Sequence, residues 1–82
     1  MSPEEILSRL CPVVQEVFQD KFLMVTETLS MNEVPAWDSI NHMTLIIAVE
    51  QMFKIQFSLT ELVKVESIGD LMALIAAKET SS

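Results

Sequence analysis

The stretch Trp37-Asp38-Ser39-Ile40-Asn41-His42-Met43-Thr44-Leu45-Ile46-Ile47-Ala48-Val49-Glu50-Gln51-Met52-Phe53 decides how this chain folds. Its apolar residues recur at the helical period and predict a helix over Ser39 to Phe53, with Ser39 as its N-cap. At about 100° per residue, Leu45, Ile46, Val49, Met52 and Phe53 share one side with His42. Ile40, Met43 and Ile47 fall nearly opposite, with Gln51. One stripe can face a core. The other must meet a lid, a bound apolar group or another protein. The only charge within the helix is Glu50.

Upstream, Ser2-Pro3-Glu4-Glu5 reads as a helix start: Ser2 caps, Pro3 suits the first helical position, and Glu5 closes a capping box. Ile6, Leu7, Leu10, Cys11, Val14, Val17 and Phe18 continue the helical spacing to about residue 19. Pro12 interrupts it by removing a backbone donor, so a kink or a later helix start is expected there. Asp20 to Asp38 is a long connection that carries Phe22, Leu23, Met24, Val25, Leu29, Met31 and Val34. Loops of that length in small domains are packed rather than loose, and some of these side chains should cover the bundle. Pro35 sets an extended or turn conformation before Trp37.

Downstream, Lys54 to Phe57 reads as a short extended link. Ser58-Leu59-Thr60-Glu61 is a second capping box that opens a short helix through Val63 or Lys64. Ser67 caps the last helix, with Asp70 at its positive end and Ile68, Leu71, Leu74 and Ile75 as its core stripe. Lys78 suits the C-terminal end, and Glu79 to Ser82 should fray. The fold class is therefore all-α, a small bundle with a long first loop and a short third helix.

Composition narrows the function. At 82 residues with half of them apolar, residues 1–82 predict one domain with one core. One Gly and three Pro oppose a turn-rich β fold. Twelve acidic against five basic residues give a net charge of −7, which disfavours nucleic acid as a partner and favours basic protein surfaces. The single Cys11 allows no internal disulfide and reads as a packed thiol in a reducing, cytoplasmic setting. Glu4 and Glu5 are wrong for a secretory signal, and Met43 to Val49 is too short an apolar run to span a bilayer. A monomer is expected.

Little catalytic chemistry remains. One His, one Cys and dispersed acids give no metal cluster and no calcium loop, and a single Gly gives no phosphate-binding loop. Ser39 and His42 lie one helical turn apart but lack a third, orienting group. What is left is to be a substrate and then a carrier. From Val34 to Ile75 the chain resembles the acyl carrier protein family. The resemblance rests on Asp38-Ser39-Ile40, on Leu45 through Phe53, and on Leu62-Val63-Lys64-Val65-Glu66-Ser67-Ile68-Gly69-Asp70-Leu71. It covers about half the chain well; the N-terminal helix matches by pattern only.

The resemblance implies a four-helix bundle whose Ser39 receives a 4'-phosphopantetheine arm. A phosphopantetheinyl transferase moves the arm from coenzyme A to the serine hydroxyl, with magnesium at the transferase's own site. Acyl groups then ride on the arm's thiol, and the carrier does no bond chemistry itself. Its other partners would be acyl-activating, acyltransferase or synthase enzymes of fatty acid, specialised lipid or polyketide biosynthesis. Asp38 would serve transferase recognition. A helix start suits a phosphodiester, and a tether keeps cargo at high effective concentration.

The chain also departs from the family. Trp37 and Ile40 differ from what typical fatty-acid carriers show around their serine; Trp-Asp-Ser is similar to carriers of specialised lipid or polyketide pathways. Typical carriers array several acids on the second helix, where this chain has Asn41, Thr44, Gln51 and Met52 and only Glu50. Docking is therefore expected through Ile40, Met43, Ile47 and Glu50, more apolar and less salt-sensitive than usual. The competing reading of these residues is support for a lid from the long loop. Trp37 reads as a packing anchor, and His42 as a surface or capping residue near the root of the arm, with a bond to the arm's phosphate or to a neighbouring backbone group as its alternative. The alternative for the whole chain is a small acidic interaction module without a prosthetic group, gripping a partner helix through its six Met residues and second apolar stripe.

Overall fold

A computed structural model of the chain describes residues 1–80. It consists of four helices, α1 (Pro3–Val17), α2 (Ser39–Phe53), α3 (Leu59–Val63) and α4 (Ile68–Thr80), with a 3₁₀ turn at Met31–Glu33. This is the expected four-helix, all-α architecture, and no strand occurs among the described residues.

Side-chain oxygens start the helices by meeting N–H groups that no helix carbonyl can reach. Ser2 Oγ accepts from the Glu5 N–H at 3.2 Å and opens α1. The Glu5 carboxylate does not close the predicted box; it lies 4.0 Å from Arg9, one turn on. At α3 the box does close: Ser58 Oγ accepts from Glu61 N–H at 3.2 Å, and Glu61 Oε1 accepts from Ser58 N–H at 2.8 Å. Ser67 Oγ accepts from Asp70 N–H at 3.1 Å at the start of α4.

α1 runs through Pro12 without a break and ends at Val17, two residues short of the expectation, just before Gln19 turns left-handed at φ 54°. Pro12 is on the exposed side, so the missing backbone bond faces water. Ile6, Leu10, Val14 and Phe18 hold the opposite side in the core. Each such burial is worth about 1.5–3 kcal/mol, enough to carry the helix past one lost bond. Cys11 is half-buried.

α2 buries Leu45, Ile46 and Val49, with Phe53 half-buried. Met52, expected on this stripe, is exposed, because it lies at the stripe's edge in the last turn. On α4 the core set is Ile68, Leu71, Met72 and Ile75; Leu74, expected there, is only half-buried, since it points away from the centre of that stripe.

The long connection is pinned at both ends. Gln15 Nε2 donates to the Leu23 carbonyl at 3.0 Å, folding the loop's start against α1. Further on, Met31 N–H donates to Glu66 O, Ile68 N–H to Leu29 O, and Gly69 N–H to Glu27 O at 2.8 Å. A Cβ at Gly69 would stand 3.0 Å from that Glu27 oxygen, so only glycine lets loop and helix approach this closely. Val34 and Trp37 are buried, and Leu23, Val25, Leu29 and Met31 pack against the core. The loop thus delivers the chain to a turn at Pro35–Ala36 and on to Asp38 in one direction.

Lys78 on α4 pairs with Glu61 on α3 at 2.8 Å. The expected fraying does not begin at Glu79: the helix continues through Thr80, and the Glu79 carboxylate lies 3.2 Å from the Met1 amine. Ser81 and Ser82 lie outside the described residues. No described helix is long and apolar enough to cross a membrane.

Candidate functional site

Asp38, not Ser39, is the N-cap of α2. Its backbone is extended, at φ −96° and ψ −177°, and its carboxylate accepts from the Asn41 N–H at 2.8 Å. Two good capping residues stand side by side. The ionised oxygen wins because it is the stronger acceptor and its charge suits the positive helix end. Ser39 becomes the first residue inside the helix, exposed to solvent. Its hydroxyl has no hydrogen-bond partner among the described residues, whereas the hydroxyls of Ser2, Ser58 and Ser67 are each used to cap a helix. The approach to Ser39 is fixed from below: Asn41 Nδ2 donates to Ala36 O at 2.7 Å, and His42 N–H to Asp38 O at 2.8 Å.

Trp37 is 3 % exposed and packs against Phe18, ring centroids 5.5 Å apart. Its Nε1–H donates to His42 Nδ1 at 2.9 Å, and His42 Nε2 stands 2.9 Å from the Leu62 carbonyl oxygen. Since the indole only donates, Nδ1 must accept, and the proton sits on Nε2, where it is donated to Leu62. The packing expectation for Trp37 matches this geometry. The surface or capping expectation for His42 does not: the ring is buried and ties the loop, the first turn of α2 and the end of α3 together. With both nitrogens engaged, it offers none to Ser39, and the nucleophile–base pair of a hydrolase is not assembled. A signal was present in the sequence, since His42 falls on the core stripe and the lone Trp37 needs an acceptor.

On the opposite side of α2, Ile40 is 75 % exposed, and Met43 and Ile47 are exposed with it. The loop does not cover them, which corrects the lid alternative; its Leu23, Val25, Leu29, Met31 and Val34 pack into the core instead. Glu50 is half-buried, and its Oε2 accepts from Phe57 N–H at 2.8 Å, so this acid braces the link to α3. Leu59 and Val63 of α3 are exposed as well.

Chemically, the start of α2 offers an outward hydroxyl oxygen, unhindered by a capping bond, at a positive helix end. Such a place suits an esterified anion. No group of three His, Cys, Asp or Glu that could hold a metal ion occurs among the described residues.

No family model matches the chain, and no curated protein does. Among solved structures, the chain is similar to the solution structure of a holo acyl carrier protein from Geobacter metallireducens. The identity is 40 % over 92 % of this chain and 86 % of that one, with a TM-score of 0.84. It is also similar to the crystal structure of an acyl carrier protein from Thermotoga maritima, with 20 % identity over 99 % of this chain and 94 % of that one and a TM-score of 0.85. The second likeness is one of fold alone.

Proposed function

The chain belongs to the acyl carrier protein family, and from that premise we propose that it carries acyl intermediates as thioesters on a 4'-phosphopantetheine arm attached to Ser39. The observation that supports Ser39 as the anchor is its exposed hydroxyl, released from capping duty by Asp38. In the loading reaction a phosphopantetheinyl transferase joins Ser39 Oγ to the phosphorus next to the pantetheine of coenzyme A. The bond from that phosphorus to the remaining nucleotide phosphate breaks, adenosine 3',5'-bisphosphate leaves, and the serine proton passes to a base of the transferase. Once attached, the group supplies a thiol for thioester formation.

The residues around Ser39 do the positioning. Asp38 holds the first turn through Asn41 and is an acidic mark beside the target for the transferase. The positive end of α2 favours the phosphodiester. Trp37 and His42 keep the turn and α3 in register, so that Ser39 stays outside the core.

Ile40, Met43 and Ile47 form the docking face for acyl-activating, acyltransferase or synthase partners, with Glu50 bracing its far end. A face with so little charge suits dedicated partners of a specialised lipid or polyketide pathway more than general fatty acid synthesis. The carrier acts as a monomer in the cytoplasm and leaves bond chemistry to its partners.

Incubation with coenzyme A and an active phosphopantetheinyl transferase tests the reading. The intact mass is expected to rise by one phosphopantetheinyl group for the wild type and not for Ser39→Ala. An unmodified wild type, beside a control carrier that is loaded, overturns it. For the docking face, partner binding is expected to vary little with salt, and a steep loss of affinity on adding salt defeats the apolar mode.

A further inference from the structure

His42 is the only histidine of the chain, and Trp37 is its only tryptophan. The histidine ring is 8 % exposed. Its Nδ1 accepts from the Trp37 Nε1–H at 2.9 Å, and its Nε2 stands 2.9 Å from the Leu62 carbonyl oxygen. Only one protonation state makes both bonds. The neutral ring with its proton on Nε2 offers one acceptor and one donor, whereas the charged ring offers two donors. A proton on Nδ1 therefore sets an N–H against the indole N–H, while the bond to Leu62 is untouched. As the ring stands, no buried side-chain nitrogen or oxygen lacks a partner among the described residues. With the added proton the indole nitrogen lacks one, and a charge is left in a buried site.

The charged groups of the surrounding elements are engaged elsewhere or face solvent. On α2, Asp38 holds the Asn41 N–H at 2.8 Å. In the loop before Trp37, Glu33 accepts from the Ser30 N–H. On α3, Glu61 is taken by Lys78 at 2.8 Å and by the Ser58 N–H, and Lys64, next to this helix, is an exposed cation. α1 brings Phe18 against Trp37, and the acids that flank it in sequence, Glu16 and Asp20, are exposed. No ion pair joins His42 to any of these acids among the described residues.

We propose that this ring is a pH-sensitive latch. Protonation of Nδ1 expels the indole N–H and frees Trp37, together with the turn that delivers Ser39 two residues later. α3 stays tied through Leu62, and the core between α1, α2 and α4 stays packed. The direction follows from counting protons. Nδ1 is open to a proton once the indole has left and is occupied while the latch is closed. Lowering the pH thus favours release, and raising it restores the contact. The latch belongs to the fold and does not depend on the carrier reading.

The test uses the full chain without modification. Its one indole N–H gives one signal in a proton–nitrogen correlation spectrum, and circular dichroism follows the helices. Between about pH 8 and about pH 5, where histidines change charge, the indole signal is expected to move along a reversible one-proton curve while the helical signal is kept. His42→Gln keeps an acceptor and a donor but cannot take the proton, so its indole signal should hold its place. A wild-type signal that does not move, or one that moves equally in His42→Gln, overturns the proposal. So does a loss of helix that coincides with the indole change, since that is unfolding and not release. Should His42→Gln fail to fold, Trp37→Phe decides. Without the indole N–H nothing opposes the proton, and the melting temperature should fall less steeply than in the wild type over about the same pH range. Equal slopes would overturn the latch.

Discussion

Ser39 and His42 stand one helical turn apart on α2 and live in opposite surroundings. His42 is buried with both ring nitrogens engaged, between Trp37 and the Leu62 carbonyl. Ser39 is exposed, and its hydroxyl has no hydrogen-bond partner among the described residues. The same division runs down the helix, with Leu45, Ile46 and Val49 inside and Ile40, Met43 and Ile47 outside. One face of α2 is fixed by packing, and that fixed face lets the other carry an exposed hydroxyl and bare apolar side chains into solvent. If this division is right, substitutions on the two faces act on different quantities, the inner ones on stability and the outer ones on encounters with partners.

The largest contrast is expected between Leu45 and Ile47. Leu45→Ala leaves a cavity in a site with no solvent exposure and should cost about 2–5 kcal/mol. For a domain of this size that lowers the thermal midpoint by ten degrees or more, at about 4–8 °C per kcal/mol. Ile47→Ala should stay within about 0.5 kcal/mol. Thermal unfolding followed by circular dichroism reads both, and equal losses would break the comparison.

A smaller effect is expected at His42. His42→Leu fills the space but strands the Trp37 N–H and removes a donor from Leu62, at a cost of about 1–3 kcal/mol. His42→Gln keeps one acceptor and one donor and should recover part of the loss. The chain holds one Trp and no Tyr, so its intrinsic fluorescence reports on this contact directly. An unchanged emission spectrum in His42→Leu would show that the bond does not govern the surroundings of Trp37.

Asp38 comes next. Asp38→Ala removes the cap and should cost about 1 kcal/mol, while Asp38→Asn and Asp38→Ser should lose only a few tenths. Loading rates sharpen the point. If Asp38→Asn keeps stability yet loads slowly, the charge serves the transferase; if it loads normally, the residue is a cap alone.

The smallest effect concerns the junction of α3 with α4. Hydrogen bonds from Lys78 and from the Ser58 N–H hold the Glu61 carboxyl below its ordinary value. A carboxyl lowered in the folded state contributes stability that is present above its unfolded value and is lost as pH falls through the folded one. Acid titration of the melting temperature should therefore show a slightly shallower acid-side decline in Glu61→Gln than in the wild type. An identical decline would remove Glu61 from that balance.

Much of this division could be read from the residues. The two stripes of α2 follow from helical spacing, and the starts of α3 and α4 follow from Ser-x-x-Glu and Ser-x-x-Asp patterns, because capping is local chemistry. The assignment of the α2 cap did not follow, since Asp38 and Ser39 are both good caps and only the backbone conformation ranks them. His42 was misjudged because a lone histidine near a helix start fits a surface as well as a core until its partners Trp37 and Leu62, on other elements, are in place. Gly69 belongs to the stretch that carries the family resemblance, but its close approach to Glu27 O depends on a contact between distant parts of the chain. The exposure of Phe22 and Met24 beside buried neighbours was likewise invisible, because the loop's period is set by where α1 and α4 pin it.

The central claim is that one serine among eight is set apart by its place at the start of α2. Peptide mapping by mass spectrometry after transferase loading tests it directly. The account predicts the phosphopantetheinyl group on the peptide holding Ser39 and on no other, with Ser2, Ser8, Ser58 and Ser67 unmodified. Attachment at any other residue, or none on a chain incubated beside a control carrier that is loaded, would contradict it.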